Sequence, residues 1–96
     1  MLVQFETMES PDIGIFLQSA LMLQGISQVT LSDLVGVEQR YLSLMLRGHK
    51  KMPAEVFEKI CSILRLSPAK MRKYYIYSFN AYGDLEPKQS RAIINQ

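Results

Sequence analysis

The densest set of groups able to bond a polar ligand lies between residues 39 and 51: Gln39, Arg40, Ser43, Arg47, His49, Lys50 and Lys51. At about 100° per residue, Gln39, Arg40, Ser43, Leu44 and Arg47 fall on one arc of a helix, with Tyr41, Leu42, Met45 and Leu46 opposite. The second arc is apolar and must pack, so the first is turned outward. Its groups match base-pair edges in a major groove. A guanidinium bridges guanine O6 and N7, a Gln amide pairs with adenine N6 and N7, a hydroxyl donates or accepts, and a leucine meets a thymine methyl. Arg47, His49, Lys50 and Lys51 suit phosphate oxygens, contacts that position a protein without reading sequence. Ser27 and Gln28 open an earlier helix, where free N–H groups favour a phosphate.

Other chemistries fit poorly. His49 has no His or Cys near it at metal-binding spacing, so neither a metal nor another cofactor is expected. The chain shows no nucleophile–base pair, phosphate-cradling glycine loop or clustered carboxylates, so an enzyme is the least expected class. Cys61 is the sole cysteine and sits among apolar residues, which predicts a core position. No charge occurs between Asp12 and Asp33, yet Gln18, Ser19, Gln24, Gly25, Ser27 and Gln28 interrupt the run. A span needs about 18 unbroken apolar residues. With no basic leader at the start, a soluble, cytoplasmic protein without membrane contact is expected.

Charge is distributed unevenly. Residues 1–38 hold five acids and no Lys or Arg, whereas residues 39–54 hold Arg40, Arg47, Lys50 and Lys51 and no acid. The overall charge is only +2, but one side of the molecule should be basic, the footprint of a nucleic-acid binder.

Five helices and little or no sheet are predicted to carry these groups. Ser10-Pro11 reads as an N-cap followed by proline, opening a helix to about Gln24 that Gly25 ends; Ile13, Phe16, Leu17, Ala20 and Leu21 form its inner face. Ser27 caps a short second helix, stopped by Gly36. The third runs from Glu38 to Arg47 and ends at Gly48. Pro53 opens a fourth to about Leu64, with Val56, Phe57, Ile60, Ile63 and Leu64 inward. Ser67-Pro68 opens a fifth, to about Tyr82 before Gly83. Residues 1–9 are expected to form an arm or short strand, and the tail 84–96 to add a turn or two after Pro87, leaving residues 10–83 as the single domain.

A short helix, a glycine turn and a helix with an outward polar face make a helix-turn-helix plan. The stretch "GISQVTLSDLVGVEQRYLSLMLRGHKKMP" resembles the core of the lambda-repressor/Cro (Xre-type) family, and the similarity covers roughly residues 12–67. The resemblance runs through Gly25-Ile26-Ser27-Gln28, Leu31-Ser32, Gly36-Val37, Tyr41-Leu42-Ser43, Arg47-Gly48, Pro53 and "EKICSILRLS". It implies an all-α, five-helix DNA-binding domain, usually dimeric on a palindromic operator. Gln39, Arg40, Ser43 and Leu44 would face bases; Ser27, Gln28, Arg47, His49, Lys50 and Lys51 would approach the backbone.

Three departures from the family pattern stand out. Leu44 stands where a polar reader is common. Arg65 stands where a helix-ending glycine is common, costing about 1 kcal/mol if the left-handed conformation is kept. Leu21 and Leu46 replace an Arg and a Glu that pair in many members, a double change that is often neutral or stabilising.

Outside the motif, Ile15 and Met22 form an apolar seam on the first helix. "MRKYYIYSFNAY" holds four of the five tyrosines. On a continuous helix Met71, Tyr75, Phe79 and Tyr82 share a face; Tyr74, Tyr75, Tyr77, Phe79 and Tyr82 are the expected dimer surface. The expectation is a dimeric, sequence-specific repressor of phage, mobile-element or antitoxin type, with double-stranded DNA and a second copy as partners, and a toxin or other regulatory protein as a further one. The alternative is a protein-interaction module that keeps the fold.

Overall fold

The computed structural model describes residues 12–88. Five α-helices follow one another: α1 (Ile13–Gln24), α2 (Gln28–Val35), α3 (Gln39–Leu46), α4 (Ala54–Leu64) and α5 (Pro68–Tyr74), then a 3₁₀ turn at Ile76–Ser78. The arm at residues 1–9, the Ser10-Pro11 start and residues 89–96 of the tail lie outside the described residues.

Asp12, not Ser10, caps α1. Its backbone is extended, and its Oδ1 accepts from the N–H groups of Gly14 (2.8 Å) and Ile15 (3.3 Å). Ser27 and Ser67 cap α2 and α5 through bonds to Thr30 and Lys70. Gly25 and Gly36 end α1 and α2 in the left-handed conformation. Arg65 ends α4 the same way at φ 62°, keeping the conformation at the cost expected for a side chain there.

The core is one cluster drawn from all five helices, with Phe57, Leu17, Leu31, Leu42, Met45, Leu46, Met52, Ile60, Leu64 and Cys61 its largest fully buried side chains. Leu21 and Leu46 are both in it, as the paired replacement predicts. Burial pushes the Cys61 thiol up to about 11, partly offset by Arg72, so it stays a protonated core residue. One position differs from the predicted inner faces: Phe16 is turned outward, whereas Ala20 and Ile63 are half-buried and pack against the core. Gly14 is buried as well, and a Cβ there would land on the Leu46 carbonyl oxygen where α1 meets the end of α3.

The largest correction concerns the fifth helix. It stops at Tyr74 rather than Tyr82; Tyr75 leaves helical geometry at ψ 46° and Phe79 is extended at φ −112°, ψ 148°. The segment folds back through a turn at Asn80–Gly83, where Asn80 Oδ1 accepts from the N–H groups of Tyr82 and Asp84. Leu85 then makes isolated β-bridges to both Phe79 and Met52 and is itself buried. Residues 84 and 85, assigned to the tail from sequence, belong to the folded domain.

Candidate nucleic-acid interface

α2 and α3 are joined by Gly36-Val37-Glu38. Gly36 turns the chain and Val37 packs partly onto the core, which fixes α3 across α2. Leu42, Met45 and Leu46 are buried and Tyr41 is half-buried, so the opposite arc must face out. Gln39, Arg40 and Arg47 are exposed, Ser43 and Leu44 half-buried; together these five line one open depression. An outward row of amide, guanidinium, hydroxyl and methyl groups is complementary to the acceptors, donors and thymine methyl that base edges present in a major groove.

The carboxyl end of α3 is tied down by α1. Gln18 Nε2 donates to the Leu46 carbonyl (3.1 Å), and Gln24 Nε2 donates to the Leu64 carbonyl at the end of α4 (3.0 Å). Each bond satisfies a helix-terminal acceptor that has no intrahelical partner. The two glutamines read from sequence only as interruptions of an apolar run therefore orient α3 and α4. Gly14, a glycine inside a helical pattern, was the visible sign of the close approach.

Beyond α3, His49, Lys50 and Lys51 are exposed. Ser27 is exposed and Gln28 half-buried at the start of α2; the Ser27 hydroxyl is already engaged by the Thr30 N–H (3.1 Å) and hydroxyl (3.0 Å). What α2 can offer an anion is therefore chiefly its first backbone N–H groups.

The expected tyrosine surface divides in two. Tyr74, Tyr77 and Tyr82 are 70%, 95% and 84% exposed. Tyr75 and Phe79 are drawn inward instead, because the chain leaves the helix after Tyr74. Tyr75 is buried among core residues, and Phe79, half-buried, packs edge-on against Phe57 at 4.9 Å between ring centroids. Ile15 and Met22 are exposed, as the seam reading requires.

Sequence reasoning missed Asp84. Its Oδ1 accepts from the Ala54 N–H at 2.8 Å, and that bond, then Asn80, holds its carboxyl below the usual aspartate range. The available signal was negative: Pro53, in the cap position of α4, has no side-chain acceptor, so one must come from elsewhere.

Among the described residues no single helix is long and apolar enough to cross a membrane; α1 and α2 together are apolar enough but meet at 104°. The family model described as "Helix-turn-helix" matches residues 17–71, which include all of α2, α3 and α4. No curated protein and no solved structure matches the chain.

Proposed function

This chain belongs to the lambda-repressor/Cro-like (Xre-type) helix-turn-helix family of DNA-binding transcription regulators, and from that premise we propose that it is a sequence-specific, homodimeric repressor of phage, mobile-element or antitoxin type. The observation that carries this reading is the outward arc of α3. Gln39, Arg40, Ser43, Leu44 and Arg47 line one depression on the second helix of the motif, and a basic stretch follows directly.

In this reading α3 enters the major groove with Arg40 and Gln39 leading, and Ser43 and Leu44 behind them. Arg47, His49, Lys50, Lys51 and the start of α2 meet phosphates. Arg40→Ala should cost about 1–3 kcal/mol on the preferred site and relax base choice at one position. Lys50→Ala or Lys51→Ala should weaken binding evenly across sequences and lower the salt slope by about one. Leu44→Ala should cost less than Arg40→Ala. Selection of a preferred site from a random DNA pool, then titration of these variants at two salt concentrations, tests the reading. If the arc serves a protein partner instead, such as a toxin, Leu44 matters most and the lysines hardly at all. Indifference of DNA binding to Arg40 and to both lysines, in folded protein, would sink it.

Dimerisation on a palindromic operator places the two α3 helices about 34 Å apart. Tyr74, Tyr77 and Tyr82 are the tyrosines left to supply the contact, since large exposed rings are enriched at interfaces. Replacing Tyr77 and Tyr82 together by Ser should shift sedimentation at micromolar concentration from dimer to monomer. A native chain that sediments as a monomer refutes the arrangement.

A further inference from the structure

The loop carrying Lys50 and Lys51 leaves α3 through the His49 N–H, which donates to the Leu44 carbonyl at 2.9 Å, and beyond that point it is held by the C-terminal segment. Met52 and Leu85 exchange two backbone bonds of 2.9 Å each, and the Lys88 N–H donates to the Gly48 carbonyl at 2.8 Å. Between these pairings Asp84 reaches the same edge. Its Oδ1 accepts from the Ala54 N–H (2.8 Å), supplying across 30 positions the cap that Pro53 cannot provide. Its Oδ2 lies 4.0 Å from Lys51 Nζ. An ion pair that long, with Lys51 half exposed, contributes little, so Lys51 can leave it for a phosphate.

We propose that Asp84 is a positioning residue for DNA-backbone binding: its hydrogen bond to Ala54 fixes the loop 48–53 so that Lys50 and Lys51 stand ready beside the recognition helix. The inference rests on the DNA-binding reading above. Its physical basis is preorganisation. A loop already ordered in the free protein does not have to be immobilised when it meets DNA.

The charge of Asp84 and its hydrogen bond push DNA affinity in opposite directions, which makes the proposal testable by sign. A carboxylate beside Lys51 repels phosphate, so removing the charge alone should strengthen binding. Removing the acceptor should loosen the loop and weaken it. Asp84→Asn and Asp84→Ala lose the same charge, but only Asn keeps an oxygen for the Ala54 N–H. The experiment measures both full-length variants on a labelled random-sequence duplex across a salt series, with thermal melts of each.

Asp84→Asn should bind at least as well as the native protein. Asp84→Ala should bind about three- to tenfold more weakly than Asp84→Asn, the range of one hydrogen bond. Its salt slope should also be lower by about one. If Asp84→Ala does not melt cooperatively, Asp84→Gln, whose acceptor is displaced by one methylene, takes its place against Asp84→Asn with the same expected order. Equal binding by the acceptor-keeping and acceptor-losing variants overturns the proposal. Lys51→Ala separates the two levels. If it weakens binding while the Asp84 variants bind alike, only the positioning role fails. If Lys51→Ala and Lys50→Ala both leave binding unchanged, the DNA-backbone contacts themselves fail.

Discussion

Most helix ends within residues 12–67 are closed by a neighbour: Asp12 accepts from Gly14 and Ile15, Ser27 from Thr30, and the carboxyl ends of α1 and α2 turn on Gly25 and Gly36. Residues 75–88 work differently. Asp84 caps a helix 30 positions back, and the Lys88 ammonium bonds Asp12 from 76 positions away. Arg72 clamps the same segment from α5. Its Nη2 donates to the Gly83 carbonyl (2.8 Å), Nη1 pairs with Glu58 (3.1 Å), and the guanidinium lies over the Phe57 and Phe79 rings. The first region is a set of helices closed mostly by their own neighbours, with two glutamines of α1 completing the carboxyl ends of α3 and α4. The second has almost no repeating structure of its own and is ordered by what it touches. The two meet where α3 gives way to the basic loop, so the part proposed to read bases and the part proposed to hold phosphates are stabilised by different means.

The comparison is tested hardest at the core. Leu46 is 1% exposed and Leu21 3%, in the one cluster that joins α1 to α3. Leu46→Glu alone buries a carboxylate with no partner and should cost about 3–5 kcal/mol. Adding Leu21→Arg restores the ion pair that the family resemblance implies at these positions and should recover much of the loss. Melting curves of both single variants and the double decide it. Strictly additive losses would mean that the two side chains do not meet, and that α1 and α3 are not coupled through this pair.

The same division explains what the residues disclose without coordinates. The helix-turn-helix is legible because its signals are local: an apolar arc, a glycine at the turn, Ser27 and Ser67 at cap positions. The outward placement of Gln39, Arg40, Ser43, Leu44 and Arg47 follows from burying Leu42, Met45 and Leu46. The left-handed Arg65 is foreshadowed only by the family resemblance, since members commonly have a glycine there. The end of α5 is not. No Gly or Pro falls between Pro68 and Gly83, so helical periodicity runs on and puts Tyr75, Phe79 and Tyr82 on one false face. What stops the helix is tertiary: Phe79 is drawn out straight to pair with Leu85, and Leu85 with Met52. Asp84, Gln18 and Gln24 are hidden for the same reason. Each satisfies a backbone group far away in sequence, and nothing in its own neighbourhood says so.

Acid should separate the two regions with the smallest perturbation. Two carboxylates are held below their ordinary range, and both sit at contacts of the C-terminal segment. Burial would raise Asp12, but the Lys88 ammonium and the N–H groups of Ile15 and Gly14 outweigh it; Asp84 is lowered by the Ala54 N–H and then by Asn80. A carboxylate whose pKa is depressed in the folded state adds stability that is complete above the unfolded value of about 3.9. That stability is lost as pH falls through the folded value. The core has no comparable liability, because Ser32 is the only buried polar residue among those described. Lowering the pH from 6 to 3 should therefore weaken the ties of residues 84–88, and the start of α1 with them, before it weakens the helical core. Amide exchange, corrected for the intrinsic rate at each pH, reads this directly. Protection at Leu85 and Lys88 should fall at pH 3 while that at Leu42 and Phe57 persists. A uniform fall would show that the segment and the helices open as one unit, and the distinction between them would dissolve.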